Sequence, residues 1–149
     1  MEPNTGAPSG ASPGNAAGNP GKTVLAVDDA PENLAFIRAC LASAGYTVFA
    51  AKSGEECLTL LTRLTPRLIL LDVQMPGIDG FETCRLIRKR KELAGVPIAF
   101  LTARKGAEDV QECVAAGGND FIVKPFNRQK LLDRVGHWTS HRAPSQAAV

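Results

Sequence analysis

Leu68-Ile69-Leu70-Leu71-Asp72-Val73-Gln74-Met75-Pro76-Gly77 is the stretch on which the reading of this chain turns. Four consecutive apolar residues, one carboxylate and then a Pro-Gly break read as a buried strand that delivers an acid to the rim of a sheet. A charge at the end of a core strand is costly unless something there uses it. Three other places offer partners of the same kind, also at the ends of apolar runs: Asp28-Asp29, Thr102 and Lys124.

Outward from that strand the pattern alternates. Val24 to Val27 is a short apolar strand, followed by a helix that opens near Pro31, carries Leu34, Ile37, Leu41 and Ala44 on one face and stops at Gly45. Thr47 to Ala51 reads as the second strand. Ser53 and Glu56 form a capping box for a second helix with Leu58, Leu61 and Leu64 inward, ended by Pro66. After the third strand, a helix from about Gly80 to Lys91 places Phe81, Cys84 and Ile87 inward. Ile98 to Leu101 form the fourth strand, ending at Thr102, and a short Ala-rich helix spans about Ala107 to Ala116 before Gly117-Gly118. Phe121 to Val123 is the fifth strand. The last helix places Leu131, Val135 and Trp138 on one stripe.

Five short apolar strands, each followed by an amphipathic helix, predict a parallel sheet covered on both faces. Right-handed crossovers leave few topologies, and five strands favour a flavodoxin-like α/β three-layer sandwich of strand order 2-1-3-4-5. Sites in that layout form at the carboxyl ends of the strands, beside the switch between strands one and three. Asp28, Asp29 and Asp72 fall there on periodicity alone.

The 149 residues fit one domain with an appendage, and 44% hydrophobic against 21% charged residues is a mix able to bury a core. A formal net charge of +2 gives no argument for nucleic acid or a membrane surface. The expectation is residues 1–22 as a disordered Gly/Pro/Ala/Asn-rich tail or linker, 23–141 as the folded domain and 142–149 as a loose end. Neither a membrane-spanning run nor a signal-peptide layout is visible, so the expected compartment is the cytoplasm. Cys40, Cys57, Cys84 and Cys113 form no C-x-x-C pair and read as small reduced core residues. Arg85, Arg88 and Lys89 share a helical face and read as a solvated basic run.

Three converging carboxylates repel one another, and a divalent cation resolves the conflict. Hard oxygen ligands with room for phosphate oxygens suit magnesium. A carboxylate beside such an ion can attack phosphorus, an ammonium can bind a phosphoryl oxygen, and a hydroxyl can donate to one. Each residue also has a plainer reading: a helix start at Asp28-Asp29, a turn cap at Asp72, a strand-end hydroxyl at Thr102, a solvated lysine at Lys124. What argues for chemistry is that each stands at the end of a different strand.

Val27-Asp28-Asp29, Leu70 to Gly80 (LLDVQMPGIDG), Phe100 to Ala103 (FLTA) and Val123 to Phe126 (VKPF) together resemble the receiver domain of bacterial two-component response regulators. The resemblance runs from about Thr23 to Thr139. It implies Asp72 as phosphoacceptor, Asp29 as a direct magnesium ligand, Asp28 as a ligand largely through water, and the Gln74 main-chain carbonyl completing the set. It also implies Thr102 as the switch hydroxyl, Lys124 as the phosphoryl partner with a cis bond to Pro125, and Phe121 as the aromatic that turns inward. The plainer reading of Phe121 is an ordinary strand aromatic. Gln74 and Arg104 would flank the path of a hydrolytic water and tune phosphoryl lifetime, with a solvated loop arginine as the alternative for Arg104.

The implied partners are a histidine kinase or histidine phosphotransfer protein, and a protein target engaged through the fourth helix, fifth strand and fifth helix. The domain would act as a monomer or a phosphorylation-dependent dimer, without direct contact to nucleic acid. Two alternatives stay open: a phosphate-independent scaffold with this fold, and a receiver fragment of a longer regulator with a separate output domain. A phosphatase of the haloacid-dehalogenase type would need a second acid two residues after Asp72, where Gln74 stands, so no turnover beyond the chain's own phosphorylation and dephosphorylation is expected. An FMN-binding role is disfavoured by the acidic loop after the first strand.

Overall fold

The computed structural model describes residues 22–103 and 106–140. The two tails and Arg104 therefore lie outside the described residues. In chain order the elements are β1 (Thr23–Val27), α1 (Pro31–Ala42), β2 (Thr47–Ala51), α2 (Gly54–Leu60) and β3 (Leu68–Asp72). They continue with α3 (Gly80–Arg88), a 3-10 turn (Lys91–Leu93), β4 (Ile98–Thr102), α4 (Ala107–Ala116), β5 (Asp120–Val123) and α5 (Arg128–Ser140). All pairings are parallel and the sheet order is β2-β1-β3-β4-β5, the order expected from the crossover rule.

β1, β3 and β4 are buried along their whole length because helices cover both faces. Strand alternation splits their side chains between two cores. Val24, Ala26, Leu68, Leu70, Ala99 and Leu101 pack against Leu34, Ile37 and Leu41 of α1 and Leu131 and Val135 of α5. Leu25, Val27, Ile69, Leu71 and Phe100 face Cys57 of α2, Phe81, Cys84 and Ile87 of α3 and Cys113 of α4. The Phe81 and Phe100 rings meet there with centroids 5.2 Å apart.

The helix ends correct the sequence reading in three places. Gly45 holds a φ of +92° beyond α1, but the helix itself stops at Ala42, so Ala44 belongs to the turn. α2 ends at Leu60 rather than running to Pro66. Thr59 and Thr62 hydroxyls bond back to main-chain carbonyls there, which leaves Leu61 buried just past the helix and Leu64 half-buried in the turn. α3 ends at Arg88, three residues early, because the chain tightens into the 3-10 turn.

The expected Ser53 cap is present, and a second cap stands at Asp79 on the same side of the sheet. Ser53 Oγ accepts from Glu56 N at 3.0 Å, while the Glu56 carboxylate reaches one residue further back, to Lys52 N at 2.6 Å. Asp79 Oδ1 accepts from Glu82 N at 2.9 Å and starts α3.

The basic run on α3 is not uniformly solvated. Arg88 turns inward and donates to the carbonyls of Gly117, Leu93 and Val96 and to Asn119 Oδ1, all between 2.8 and 3.2 Å. It clamps α3, the chain entering β4 and the α4–β5 turn. The four cysteines are free and buried, as expected; burial pushes the Cys57 thiol up to about 12 and the Cys84 thiol up to about 11.

Candidate functional site

The carboxyl ends of β1, β3, β4 and β5 open into one cleft of about 200 Å³, lined by Asp28, Asp29, Asn33, Asp72, Gln74, Thr102 and Lys124 among others. Asp28 follows β1 directly and Lys124 follows β5, while Asp72 is the last residue of β3. All three share the strand parity of the core beneath α1 and α5, so their side chains converge. Lys124 Nζ lies 3.2 Å from Asp28 Oδ2 and 3.1 Å from Asp72 Oδ1 and bridges the two carboxylates. Asp28 and Asp72 are buried, whereas Asp29 is exposed at the mouth.

Charge is unbalanced here. Three carboxylates face a single ammonium among the described residues that line the cleft. Burial, reinforced by the nearby charge of Asp28, pushes the Asp72 carboxyl up to about 6 against the opposing pull of Lys124. For Lys124, burial acts to lower the pKa, but the hydrogen bonds and charges of Asp72 and Asp28 outweigh it and hold the ammonium above its usual range.

One carboxylate oxygen from each of Asp28, Asp29 and Asp72 falls within 4.8 Å of the others. An all-oxygen, over-charged donor set of this kind suits a hard divalent cation such as magnesium. Asp28 is already committed: Oδ1 accepts from Ala30 N at 2.9 Å, and Oδ2 accepts from both Asn33 Nδ2 and Lys124 Nζ. That leaves Asp29 and Asp72 the better-placed direct ligands. Gln74 N approaches Asp72 Oδ1 at 3.4 Å, so the loop after β3 folds back over the acid. The Gln74 side chain points to solvent at the rim.

Thr102 is buried at the end of β4, and its carbonyl accepts from Lys124 N at 2.8 Å. Phe121 lies opposite Phe100 in the register and packs half-buried on the α4 side of the sheet, the face that Thr102 shares by alternation. The Lys124–Pro125 bond is cis.

Residues 24–136 match the family model of the response regulator receiver domain. The chain belongs to this family.

The receiver domain is 42% identical over 112 residues to the uncharacterized transcriptional regulatory protein YrkP of Bacillus subtilis, covering 75% of this chain and 47% of that protein. It spans about half the length of the curated relatives it matches. Among solved structures it is similar to the chemotaxis response regulator CheY4 of Vibrio cholerae, with a TM-score of 0.76 and 34% identity over 78% of this chain and 97% of that one. It is similar also to the receiver domain of the sensor histidine kinase PA1611 of Pseudomonas aeruginosa. There the TM-score is 0.76 and the identity 34%, over 84% of this chain and all of that one, and that protein's structure has a magnesium ion coordinated in its active-site cleft.

Sequence reasoning passed over two features of this receiver domain. Asn33 reaches the cleft from the first turn of α1; its position five residues after Asp28, on a helix opened by Pro31, was the available signal. Gly80 passes so close beneath β3 that an added Cβ would collide with the Asp72 carbonyl oxygen and stand 2.8 Å from Val73 Cα. No local pattern marks that approach.

Proposed function

We propose that the chain is a phosphorylation-controlled signalling switch in which Asp72 accepts a phosphoryl group from a histidine of a kinase or phosphotransfer protein. The observation that carries this reading is the Asp72 carboxylate at the floor of an acidic cleft with the Lys124 ammonium 3.1 Å away. Burial and the charge of Asp28 hold the Asp72 carboxyl above its ordinary range, and its ionised form is the nucleophile. A carboxylate oxygen attacks phosphorus, the bond from phosphorus to the imidazole nitrogen breaks, and the electron pair stays on that nitrogen. The acyl phosphate so formed carries its charge on phosphoryl oxygens, to which Lys124 supplies a positive charge and Thr102 a hydroxyl donor.

Asp29 and Asp72 would hold a magnesium ion directly, with the Gln74 main-chain carbonyl, and Asp28 largely through water. When bound, the ion supplies charge neutralisation for the incoming phosphoryl oxygens. Gln74 at the rim, and Arg104, would set how readily water reaches the acyl phosphate.

The output in this reading is a protein contact made by α4, β5 and α5. Thr102 and Phe121 share the α4 side of the sheet, so a hydroxyl drawn toward a new phosphoryl group leaves space that the half-buried ring can enter. The chain works in the cytoplasm and turns over no separate substrate. Because it spans about half the length of its curated relatives, a second reading is favoured beside the first: that it serves as the receiver portion of a longer regulator, the same face then contacting an output domain.

Incubation with magnesium and acetyl phosphate, followed by intact-mass measurement, tests the proposal. A gain of one phosphoryl group in the wild type that is lost in Asp72→Ala is expected. If the wild type responds neither to acetyl phosphate nor to beryllofluoride, the scaffold alternative replaces it.

A further inference from the structure

Asn33 lines the cleft without a task in the scheme above. It is half-buried, and its Nδ2 donates to Asp28 Oδ2 at 3.2 Å, the same oxygen that receives Lys124 Nζ at 3.2 Å. Asp28 is 1% exposed, so solvent offers little in place of either donor. We propose that Asn33 is a positioning residue that keeps the buried Asp28 carboxylate paired when Lys124 leaves it for a phosphoryl group on Asp72.

This inference rests on Asp72 being the phosphoacceptor. Before modification Lys124 divides its charge between two carboxylates. Forming the acyl phosphate moves negative charge from the Asp72 carboxyl to phosphoryl oxygens further out, and a lysine ammonium, a point charge on a flexible stem, follows it. Without Asn33, Asp28 Oδ2 would then keep no donor from the protein and depend on water held by a bound cation alone, and a buried acceptor short of a donor costs more than the net gain from an ordinary hydrogen bond. The Asn33 amide fills that role without adding charge. A cation in its place would also hold Asp28, but it would cancel the negative potential that draws a metal ion.

The test is a beryllofluoride titration at saturating magnesium, with thermal melting in EDTA, on wild type, Asn33→Leu, Lys124→Met and the double variant. Leu fills the space without a donor. In Asn33→Leu the melting temperature in EDTA should change little, because Lys124 still serves Asp28, while beryllofluoride affinity falls about tenfold. In the Lys124→Met background, adding Asn33→Leu should lower the melting temperature much more than it does alone, since both donors to Oδ2 are then gone. Unchanged beryllofluoride affinity in Asn33→Leu, or an equal melting loss with and without Lys124, overturns the role of Asn33 alone. A wild type that takes up no beryllofluoride removes the phosphoacceptor reading, and this inference with it.

Discussion

Asp72 carries its charge against its surroundings. Its carboxyl sits well above the ordinary carboxylate value because burial and Asp28 outweigh Lys124. The sign for stability follows directly: a group that binds its proton more tightly folded than unfolded weakens the fold when ionised, and this penalty fades as pH falls from about 6 toward the ordinary value. In EDTA at pH 8, Asp72→Asn should therefore melt a few degrees above the wild type, and the gap should narrow by pH 4.5. Equal melting temperatures at pH 8 would mean that Lys124 already compensates the charge in full. The residues read from the sequence as a constellation, Asp28, Asp29, Asp72, Thr102 and Lys124, do line one cleft, because each was placed by a strand end and strand ends are what a parallel sheet gathers. Asn33 escaped that logic, since it arrives from a helix whose rotation about the sheet is set by core packing.

At the scale of elements, the connection from β3 to α3 matters most for the site. α3 begins directly beneath the end of β3, with Gly80 N donating to Val73 O at 2.8 Å. Only a residue without a side chain fits between the helix and the Asp72 carbonyl. Gly80→Ala should cost about 2–3 kcal/mol in urea unfolding and should also weaken the beryllofluoride response, because the obstructing atom is main chain and cannot rotate away. A stability loss with a wild-type response would show that α3 yields while β3 stays in place. The strands were legible as apolar runs with breakers on both sides, and two helix starts as Pro31 and the Ser53 capping box; the Asp79 cap was not read. The helix ends were not, because Thr59 and Thr62 and the 3-10 turn compete for carbonyls that a longer helix would have used.

Across the whole molecule, the two ends of the sheet divide the work. The carboxyl ends hold the cleft; the opposite end is fastened by Arg88, which ties α3 to the turn between α4 and β5. That turn lies at the far end of α4 in the proposed output face. Arg88→Met keeps the apolar stem but removes a donor from the half-buried carbonyls of Gly117, Leu93 and Val96 and from Asn119 Oδ1, of which Leu93 O and Asn119 Oδ1 keep main-chain donors. It should lower stability by about 2–4 kcal/mol and raise amide exchange around Gly117 to Asn119. Protection in that turn equal to the wild type would show that the main-chain bonds of Gly118 and Asn119 suffice without the guanidinium.

By itself the sequence determined the fold class, the strand order and which acids, hydroxyl and lysine meet at the carboxyl edge. Those follow from continuous apolar runs, right-handed crossovers and the position of each polar residue at or just past the end of a strand. Only the tertiary structure decided that Lys124 bridges Asp28 and Asp72, that Asn33 shares an oxygen with it, that Arg88 turns inward and that Gly80 must be glycine. Each of these depends on the distance between packed elements, whether consecutive or far apart in the chain, and that distance is fixed by how the two cores pack rather than by any pattern along the sequence.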